Sequence, residues 1–303
     1  MDNCPSVESF PAGQFPTTLK RLQVSNCHIL SSLAANLPSL RNLEYLEVSG
    51  CPNLECFPLG PWRSLSLRCI KIEDSENLKS LPDGFYNLTN LKELEIRFCP
   101  NLKSLPKQGL PPSLRSLSIT ECKNLSSPDG WKLHKLKSLK FLTLGGFLGF
   151  VSFSSDYLLP HSITELRLSH LPDLESLSEA LQVLTSLERL MILQCENLKA
   201  LPDSGLPATL STLKIWNCPL LTPRCEKDRG EDWHKIADIP TLNITYWRTL
   251  VVLNSSFMLQ NHVRLISHSG ILYPLLFPAI GSNAEFILGI PASSDNWEIS
   301  CDS

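Results

Sequence analysis

Cysteine and histidine are the residue types in this sequence with the widest range of possible chemistry. The chain contains eleven cysteines and seven histidines, and these side chains can ligate zinc, act as nucleophiles or form disulfide bonds. No Cys-x-x-Cys pair occurs, and the nearest pairs, Cys51 with Cys56 and Cys218 with Cys225, lack the spacing of a structural zinc site. His-Glu-x-x-His, Gly-x-Ser-x-Gly and phosphate-binding-loop motifs are also missing from the sequence. The sequence therefore predicts a chain that is not an enzyme and holds neither a metal nor a cofactor.

Most of the cysteines belong to a longer, regular pattern. The motif Leu/Ile-x-x-Leu/Ile-x-Leu/Ile/Val recurs nine times at intervals of 23 to 25 residues. Its first residues are Leu19, Leu43, Leu67, Leu91, Leu114, Leu139, Ile163, Leu187 and Leu210. Eight residues after this first position lie Cys27, Cys51, Cys99, Cys122, Cys195 and Cys218, and Cys4 has the same place in an incomplete earlier repeat. We expect these thiols to pack in the interior and to donate weak hydrogen bonds to loop carbonyls.

Each copy of the motif predicts one short β-strand. Leu94 and Ile96 alternate with charged residues, so the apolar side chains face one side and the charged ones the other. Pro82 and Gly84, in the segment that leads to the next copy, oppose a long helix. A period of 20 to 29 residues with this order of leucines is the leucine-rich-repeat signature. The predicted fold class is an α/β repeat, a curved leucine-rich-repeat solenoid. Its parallel strands form the concave face, and irregular loops and short helical turns form the convex face.

The motif positions also predict how the chain is organised. We expect an incomplete repeat over residues 1–18, nine repeats over 19–221, a closing segment over 222–247 and a non-repeat tail over 248–303. Within the tail, residues 250–253 and 271–280 are apolar but show no clear strand or helix period. We expect this tail to be a non-homologous extension. The alternative is a membrane anchor, which Pro274, Pro278 and Glu285 oppose because they interrupt a run that is already short.

Composition and charge point to an ordinary globular protein. The 27 basic and 30 acidic residues give a net charge of -3, which excludes a strongly basic nucleic-acid-binding protein. The amino terminus has no charged segment followed by an apolar stretch, as a secretory signal requires. We therefore expect a cytoplasmic location, no membrane association and free thiols in place of disulfide bonds.

Specific phrases within the repeats resemble one family. Cys-Pro-Asn-Leu-Lys-Ser-Leu-Pro occurs at residues 99–106 and Cys-Glu-Asn-Leu-Lys-Ala-Leu-Pro at 195–202, and each is followed by a Gly-Leu-Pro phrase. The ending Gly-Glu-Asp-Trp-His-Lys-Ile-Ala-Asp-Ile-Pro at 230–240 is more specific than the repeats. These phrases resemble the leucine-rich-repeat domain of plant nucleotide-binding disease resistance proteins of the coiled-coil class, over residues 1–247. The resemblance implies the sensor part of an immune receptor, whose partner is a pathogen effector, a host target protein or the receptor's own nucleotide-binding switch domain.

The chain also departs from that family. It opens within a repeat, and it has no phosphate-binding loop, so we expect it not to bind a nucleotide. This departure predicts a fragment or a truncated product. A stand-alone leucine-rich-repeat scaffold or adaptor for protein–protein interaction remains the alternative.

Outward side chains of the strands are the candidate binding residues, because solenoids bind partners on their concave surface. The candidates are Tyr45, Glu47, Lys71, Glu73, Glu93, Glu95, Arg97, Phe141, Arg167, Arg189, Met191, Lys214 and Trp216, and Leu193 is expected to be exposed beside them. Acidic residues gather in repeats two to four, whereas three of the basic candidates lie at the other end. Large apolar residues among them favour a protein interface. For individual residues the alternative is a solvated cross-strand pair, Lys71 with Glu95 or Glu73 with Arg97.

Repeats six and seven depart from the regular pattern of the array. Residues 145–150 read Gly-Gly-Phe-Leu-Gly-Phe in place of the usual cysteine phrase, which predicts a distorted convex loop that extends to Pro160. We expect Phe147 and Phe150 to pack in the core, and a dedicated ligand site is the alternative.

Overall fold

The computed structural model describes residues 1–10, 15–58, 60, 62, 64–126, 128, 131–153, 159–177 and 181–245, and the backbone of four strands between residues 247 and 301. The chain divides into two compact units, Met1–Asn243 and Ile244–Ser303.

A ten-stranded parallel sheet runs through the repeats, and each strand is hydrogen-bonded to the next one along the chain. The strands are β1 Arg21–Ser25, β2 Tyr45–Ser49, β3 Cys69–Glu73, β4 Glu93–Arg97, β5 Ser116–Thr120, β6 Phe141–Gly145, β7 Glu165–Ser169, β8 Arg189–Leu193, β9 Thr212–Trp216 and β10 Thr241–Thr245. The first nine start two residues after the first residue of each motif, so the predicted leucine-rich-repeat solenoid is confirmed. The sequence analysis did not predict β10.

Every one of the nine predicted strands ends in the same left-handed turn. The residue after the strand has a positive φ in each repeat: Asn26, Gly50, Asp74, Phe98, Glu121, Gly146, His170, Gln194 and Asn217. This backbone conformation directs the N–H of Asn26 to the carbonyl of Ser49 at 2.9 Å, and the same hydrogen bond recurs from Phe98 to Thr120 at 3.1 Å. The turn thereby extends the parallel ladder by one hydrogen bond beyond each of the first eight strands.

Gly146 is a turn residue at which a side chain would not fit. Its φ is +66°, and a Cβ atom there would lie 2.5 Å from the backbone nitrogen of Glu121. Gly149, three residues later, also has a positive φ of +75°, but nothing lies within 4 Å of the position of its Cβ. The two glycines therefore share a backbone conformation and differ in crowding.

The core is built from the inward residues of the strands and of the segments between them. Leu94 is 1% exposed and Ile96 is fully buried. Phe147 and Phe150 are each 1% exposed, and their ring centroids are 5.8 Å apart. The expectation that these two aromatic side chains pack in the core is therefore confirmed. Residues 154–158 of the predicted distorted loop lie outside the described residues.

Short 3₁₀ helices and single bridges connect the strands. The helices are η1 Leu37–Ser39, η2 Asp83–Asn87, η3 Leu133–Lys135, η4 Thr222–Cys225 and η5 Trp233–Lys235. A second line of parallel bridges, which we call the bridge ladder, links Ser9, Ser32, Cys56, Ser80 and Ser104, and then Ser152, Ser176 and Ala200. The repeats linked by this ladder are thus joined to their neighbours both at the strand and at the returning segment.

The repeat cysteines lie where the strand ends. Six of them, all but Cys4, are fully buried. Their thiols lie within hydrogen-bonding distance of the carbonyl two residues earlier, as in Cys27 to Ser25 at 3.3 Å and Cys99 to Arg97 at 3.3 Å. The acceptor is the last residue of the strand, where the sequence analysis expected a loop carbonyl. A hydrogen bond with the Cys122 thiol, together with burial, raises the pKa of Cys99, so this thiol stays protonated at neutral pH.

A buried ionic cluster fixes the closing segment to the array. The carboxylate of Asp232, only 1% exposed, accepts hydrogen bonds from the backbone N–H of Leu201 at 3.0 Å and from Arg224 Nε at 3.1 Å. Lys235 Nζ lies 2.8 Å from the same carboxylate and donates to the carbonyl of Leu201 at 3.0 Å. The closing segment therefore contacts the last repeats through charged groups as well as through the apolar residues Cys225 and Ile236, each 1% exposed.

The second unit contains two antiparallel strand pairs. β11 Trp247–Asn254 pairs with β13 Glu285–Pro291, and β12 Val263–Ser267 pairs with β14 Trp297–Cys301. Residues 250–253 lie within β11, although their sequence shows no clear strand period. A strand of continuous apolar residues cannot be told from a short helix by period alone. Residues 271–280 lie outside the described residues, and in the described part no helix has the length and apolar character to cross a membrane.

Candidate functional site

Three rows of side chains cover the outward face of the sheet. Because the strands pair in register, residues at the same strand position lie side by side, as in Glu47, Lys71 and Glu95. We call these the first, middle and last rows, for strand positions one, three and five. All thirteen predicted candidates lie in these rows, and none of them is buried. Leu193 in the last row is a correction, since it is only 7% exposed and lies in register between Ser169 and Trp216.

The amino-terminal end of the face is held by hydrogen bonds around one carboxylate. Glu47 Oε2 accepts from Gln23 Nε2 at 2.8 Å and from the Tyr45 hydroxyl at 2.6 Å. The Arg21 guanidinium lies over the Tyr45 ring, 4.2 Å from its centroid. Burial and the nearby Glu47 carboxylate raise the pKa of Tyr45 to about 12, and the Tyr45 hydroxyl in turn lowers the pKa of Glu47. The Tyr45 side chain is therefore a fixed, neutral hydrogen-bond donor at physiological pH.

The acidic residues of repeats three and four are largely neutralised by neighbouring cations. Lys71 Nζ lies 3.2 Å from Glu95 Oε2, and this hydrogen-bonded contact raises the pKa of Lys71. Arg97 Nη1 lies 3.6 Å from Glu73 and 3.9 Å from Glu95. The predicted cross-strand pairs therefore form, and their exposure means that each contributes little to folding.

The carboxy-terminal end of the face has a different balance of charge. In the first row, Arg189 Nε lies 2.8 Å from the carboxylate of Glu165. In the middle row, Arg167 and Lys214 flank Met191 in register. Within the described residues, neither Arg167 nor Lys214 has an ion pair or a hydrogen bond through its side chain. Phe141, at the start of the same region, remains 42% exposed. This end of the face therefore has unneutralised positive charge beside apolar surface.

Phe98 is an exposed aromatic residue that the sequence analysis did not include. It occupies the left-handed turn after β4 with a φ of 50° and is 42% exposed. The guanidinium of Arg97 lies 5.4 Å from the centroid of its ring. A bulky residue is unfavourable in this conformation. The preceding repeats have Asn, Gly and Asp at this position, so the aromatic residue here could have indicated a functional role from the sequence alone.

The chemistry open to this face is recognition of another molecule through charge and apolar contact. In the part of the chain that the structure describes, no group of three or more His, Cys, Asp or Glu residues is placed to hold a metal ion. The tyrosine, methionine, phenylalanine and arginine side chains of this face, which are exposed or half-buried, are of the types enriched in protein interfaces.

Comparisons with known proteins agree with this architecture. No family model matches the sequence. The chain is 33% identical to “Putative disease resistance protein At3g14460” from Arabidopsis thaliana, in an alignment covering 80% of this chain and 21% of that protein. It is 45% identical over 51 residues to “Putative disease resistance protein RGA4” from Solanum bulbocastanum, which covers 16% of this chain and 5% of that protein.

The comparison with solved structures finds leucine-rich-repeat proteins at TM-scores below 0.5. The leucine-rich repeat domain of the type III effector XopL has a TM-score of 0.44 and 20% identity, covering 74% of this chain and 75% of that one. The leucine-rich effector YopM from Yersinia pestis has a TM-score of 0.40 and 24% identity, covering 69% of this chain and 64% of that one. The chain spans only about a fifth of the length of the first plant relative. Its repeat sheet and its similarity to the plant sequences identify it as a leucine-rich-repeat homologue of plant disease resistance proteins.

Proposed function

We propose that this chain is a non-catalytic protein-recognition domain that acts in plant defence within the cytoplasm. Its partner is a pathogen effector protein, a host target or the switch domain of a longer receptor, and it binds the outward face of the sheet. The observation that supports this most directly is the continuous register of the three rows. Charged and aromatic side chains from neighbouring repeats lie side by side there without contributing to the core.

Energetics favour binding over a purely structural role for these residues. Exposed ion pairs such as Lys71 with Glu95 add roughly 0.2–1 kcal/mol to stability, far less than burial of the Leu94 and Ile96 side chains beneath them. A face that adds little to folding is free to be used for contact with a partner. Only a minority of residues in such a contact provide most of its binding energy.

The experiment compares two sets of charge reversals with the same net change in charge. One variant combines Glu93→Lys, Glu95→Lys and Arg97→Glu on the sheet face. The control combines Glu55→Lys, Glu175→Lys and Lys199→Glu, which belong to exposed ion pairs of 2.7 Å and 2.6 Å beside the bridge ladder.

Both tagged variants and the parent chain are incubated with extracts of healthy and infected plant tissue, and recovered proteins are quantified by mass spectrometry. Circular dichroism melting confirms that all three chains are folded. We expect the sheet-face variant to lose specific partners that the control retains. Equal recovery by the two variants would contradict the proposed function.

A further inference from the structure

The carboxy-terminal end of the sheet face contains a compact set of residues that we call the cationic patch: Phe141, Arg167, Met191, Lys214 and Trp216. We propose that this patch binds a partner helix that presents an acidic, an apolar and a second acidic side chain along one face. The inference rests on the proposed function, because it names the chemistry of the partner for the same recognition surface.

Charge complementarity is the first support. Glu47, Lys71 and Arg97 at the other end of the face have partners within the chain, and so does Arg189 beside the patch. Arg167 and Lys214 have none among the described residues. An incoming carboxylate therefore gains the attraction of these two cations without first breaking an ion pair. An incoming cation would gain no such attraction from this row.

Spacing is the second support, and it favours a helix over an extended peptide. Arg167 and Lys214 are two strands apart, which corresponds to roughly 10 Å between their backbones. Residues i and i+7 of a helix lie on one face about 10.5 Å apart, with i+3 or i+4 between them. In an extended segment, three side chains on one face span about 13 Å, because alternate residues face opposite sides. A helix that crosses the strands therefore matches the register of the patch more closely.

The apolar part of the patch has the position that such a helix requires. Met191 lies between Arg167 and Lys214 in the middle row, and its unbranched side chain can adapt to an apolar residue of the partner. Phe141, 42% exposed, adds apolar surface at one border. Glu165 is already paired with Arg189, so its charge does not repel the partner's carboxylates at full strength.

The test uses the full chain and two synthetic, fluorescein-labelled helical peptides of the same composition. In the first, glutamates at i and i+7 flank leucines at i+3 and i+4. In the second, the same glutamates are moved to the opposite face. A third peptide keeps the glutamates and leucines of the first but has prolines that prevent the helix, and it tests the extended conformation. Binding is measured by fluorescence anisotropy.

Single variants Arg167→Glu and Lys214→Glu are compared with Lys103→Glu and Lys123→Glu, which make the same change in charge at exposed positions outside the three rows. We expect the first peptide to bind at least tenfold more tightly than the other two. Each patch reversal should weaken that binding about tenfold, and each control about twofold or less.

Three results would overturn the inference: no binding of the first peptide up to about 1 mM, equal binding of the three peptides, or equal losses in patch and control variants.

Failure of the proposed function would give a different result. If plant proteins still depend on Glu93, Glu95 and Arg97 but not on the patch, only this inference fails. If neither set of reversals changes what the chain recovers, the proposed function fails as well.

Discussion

Replacing Asp232 with alanine tests the account of how the closing segment is held. The substitution removes a carboxylate that is 1% exposed and leaves the ammonium of Lys235, whose side chain is 7% exposed, without its nearest counter-charge. Breaking a buried ion pair by removing one partner costs roughly 3–5 kcal/mol. Arg224 is 33% exposed and keeps its contact with Glu231, so the loss there is small. We therefore expect the lower end of this range, about 3 kcal/mol.

The assay for Asp232→Ala is urea denaturation followed by tryptophan fluorescence, because Trp233 lies next to the substituted residue. Hydrogen exchange then shows where the structure is lost, and we expect faster exchange in residues 201–236. Asp203→Asn is the matched control, since Asp203 contacts the same Lys235 at 3.3 Å but is fully exposed, and it should change stability by less than about 0.5 kcal/mol. Equal stabilities for the two variants would refute the buried-cluster argument.

Three further predictions test the same structure. Burial alone would raise the pKa of Asp232, but hydrogen bonds from Arg224 and Lys235 outweigh it and lower that pKa. The stabilisation by the ionised carboxylate is therefore present above about pH 4 and is lost as the pH falls. Asp232→Asn should flatten this part of a curve of unfolding free energy against pH. Leu94→Arg buries an unpaired charge at a position that is 1% exposed and should lower the free energy of unfolding by more than about 3 kcal/mol. A circular dichroism melt identical to that of the parent chain would contradict this burial. Gly146→Ala should destabilise the chain by at least about 1 kcal/mol more than Gly149→Ala, because only the first places a Cβ against Glu121; thermal melts of the two variants measure the difference.

The first nine strands could be predicted from the sequence because inward leucines must recur where each turn of the solenoid stacks on the last. The tenth was missed although residues 239–244 contain the same motif, Ile-Pro-Thr-Leu-Asn-Ile. It starts 29 residues after Leu210, outside the regular interval, because the two 3₁₀ helices of the closing segment lie between them. A search by motif without a fixed period would have found it.

The rows of the candidate site, and within them the pairs Lys71 with Glu95 and Glu73 with Arg97, were predictable from the alternation of residues; the pair Arg189 with Glu165 was missed. Arg189 occupies the first row and has an acidic neighbour in register, Glu165, whereas Arg167 and Lys214 occupy the middle row on either side of Met191. The difference depends on which strand position each charge occupies in adjacent repeats. Leu193 shows a further limit, because the fifth strand position is buried in β6, β7 and β8 but half-exposed in β2 to β5, which the motif does not distinguish.

The left-handed turn after each strand has a consequence for how the surface can vary. Seven of the nine turn residues are not glycine, and they include Asn, Asp, Glu, Gln, His and Phe. The turn geometry is common to all repeats, and its left-handed conformation costs least for Asn and Asp and about 1–2 kcal/mol for ordinary side chains. Exchanging one for another therefore changes the chemistry at the border of the sheet at a conformational cost of at most about 2 kcal/mol. This border can diversify while the hydrogen-bonded ladder beneath it stays the same.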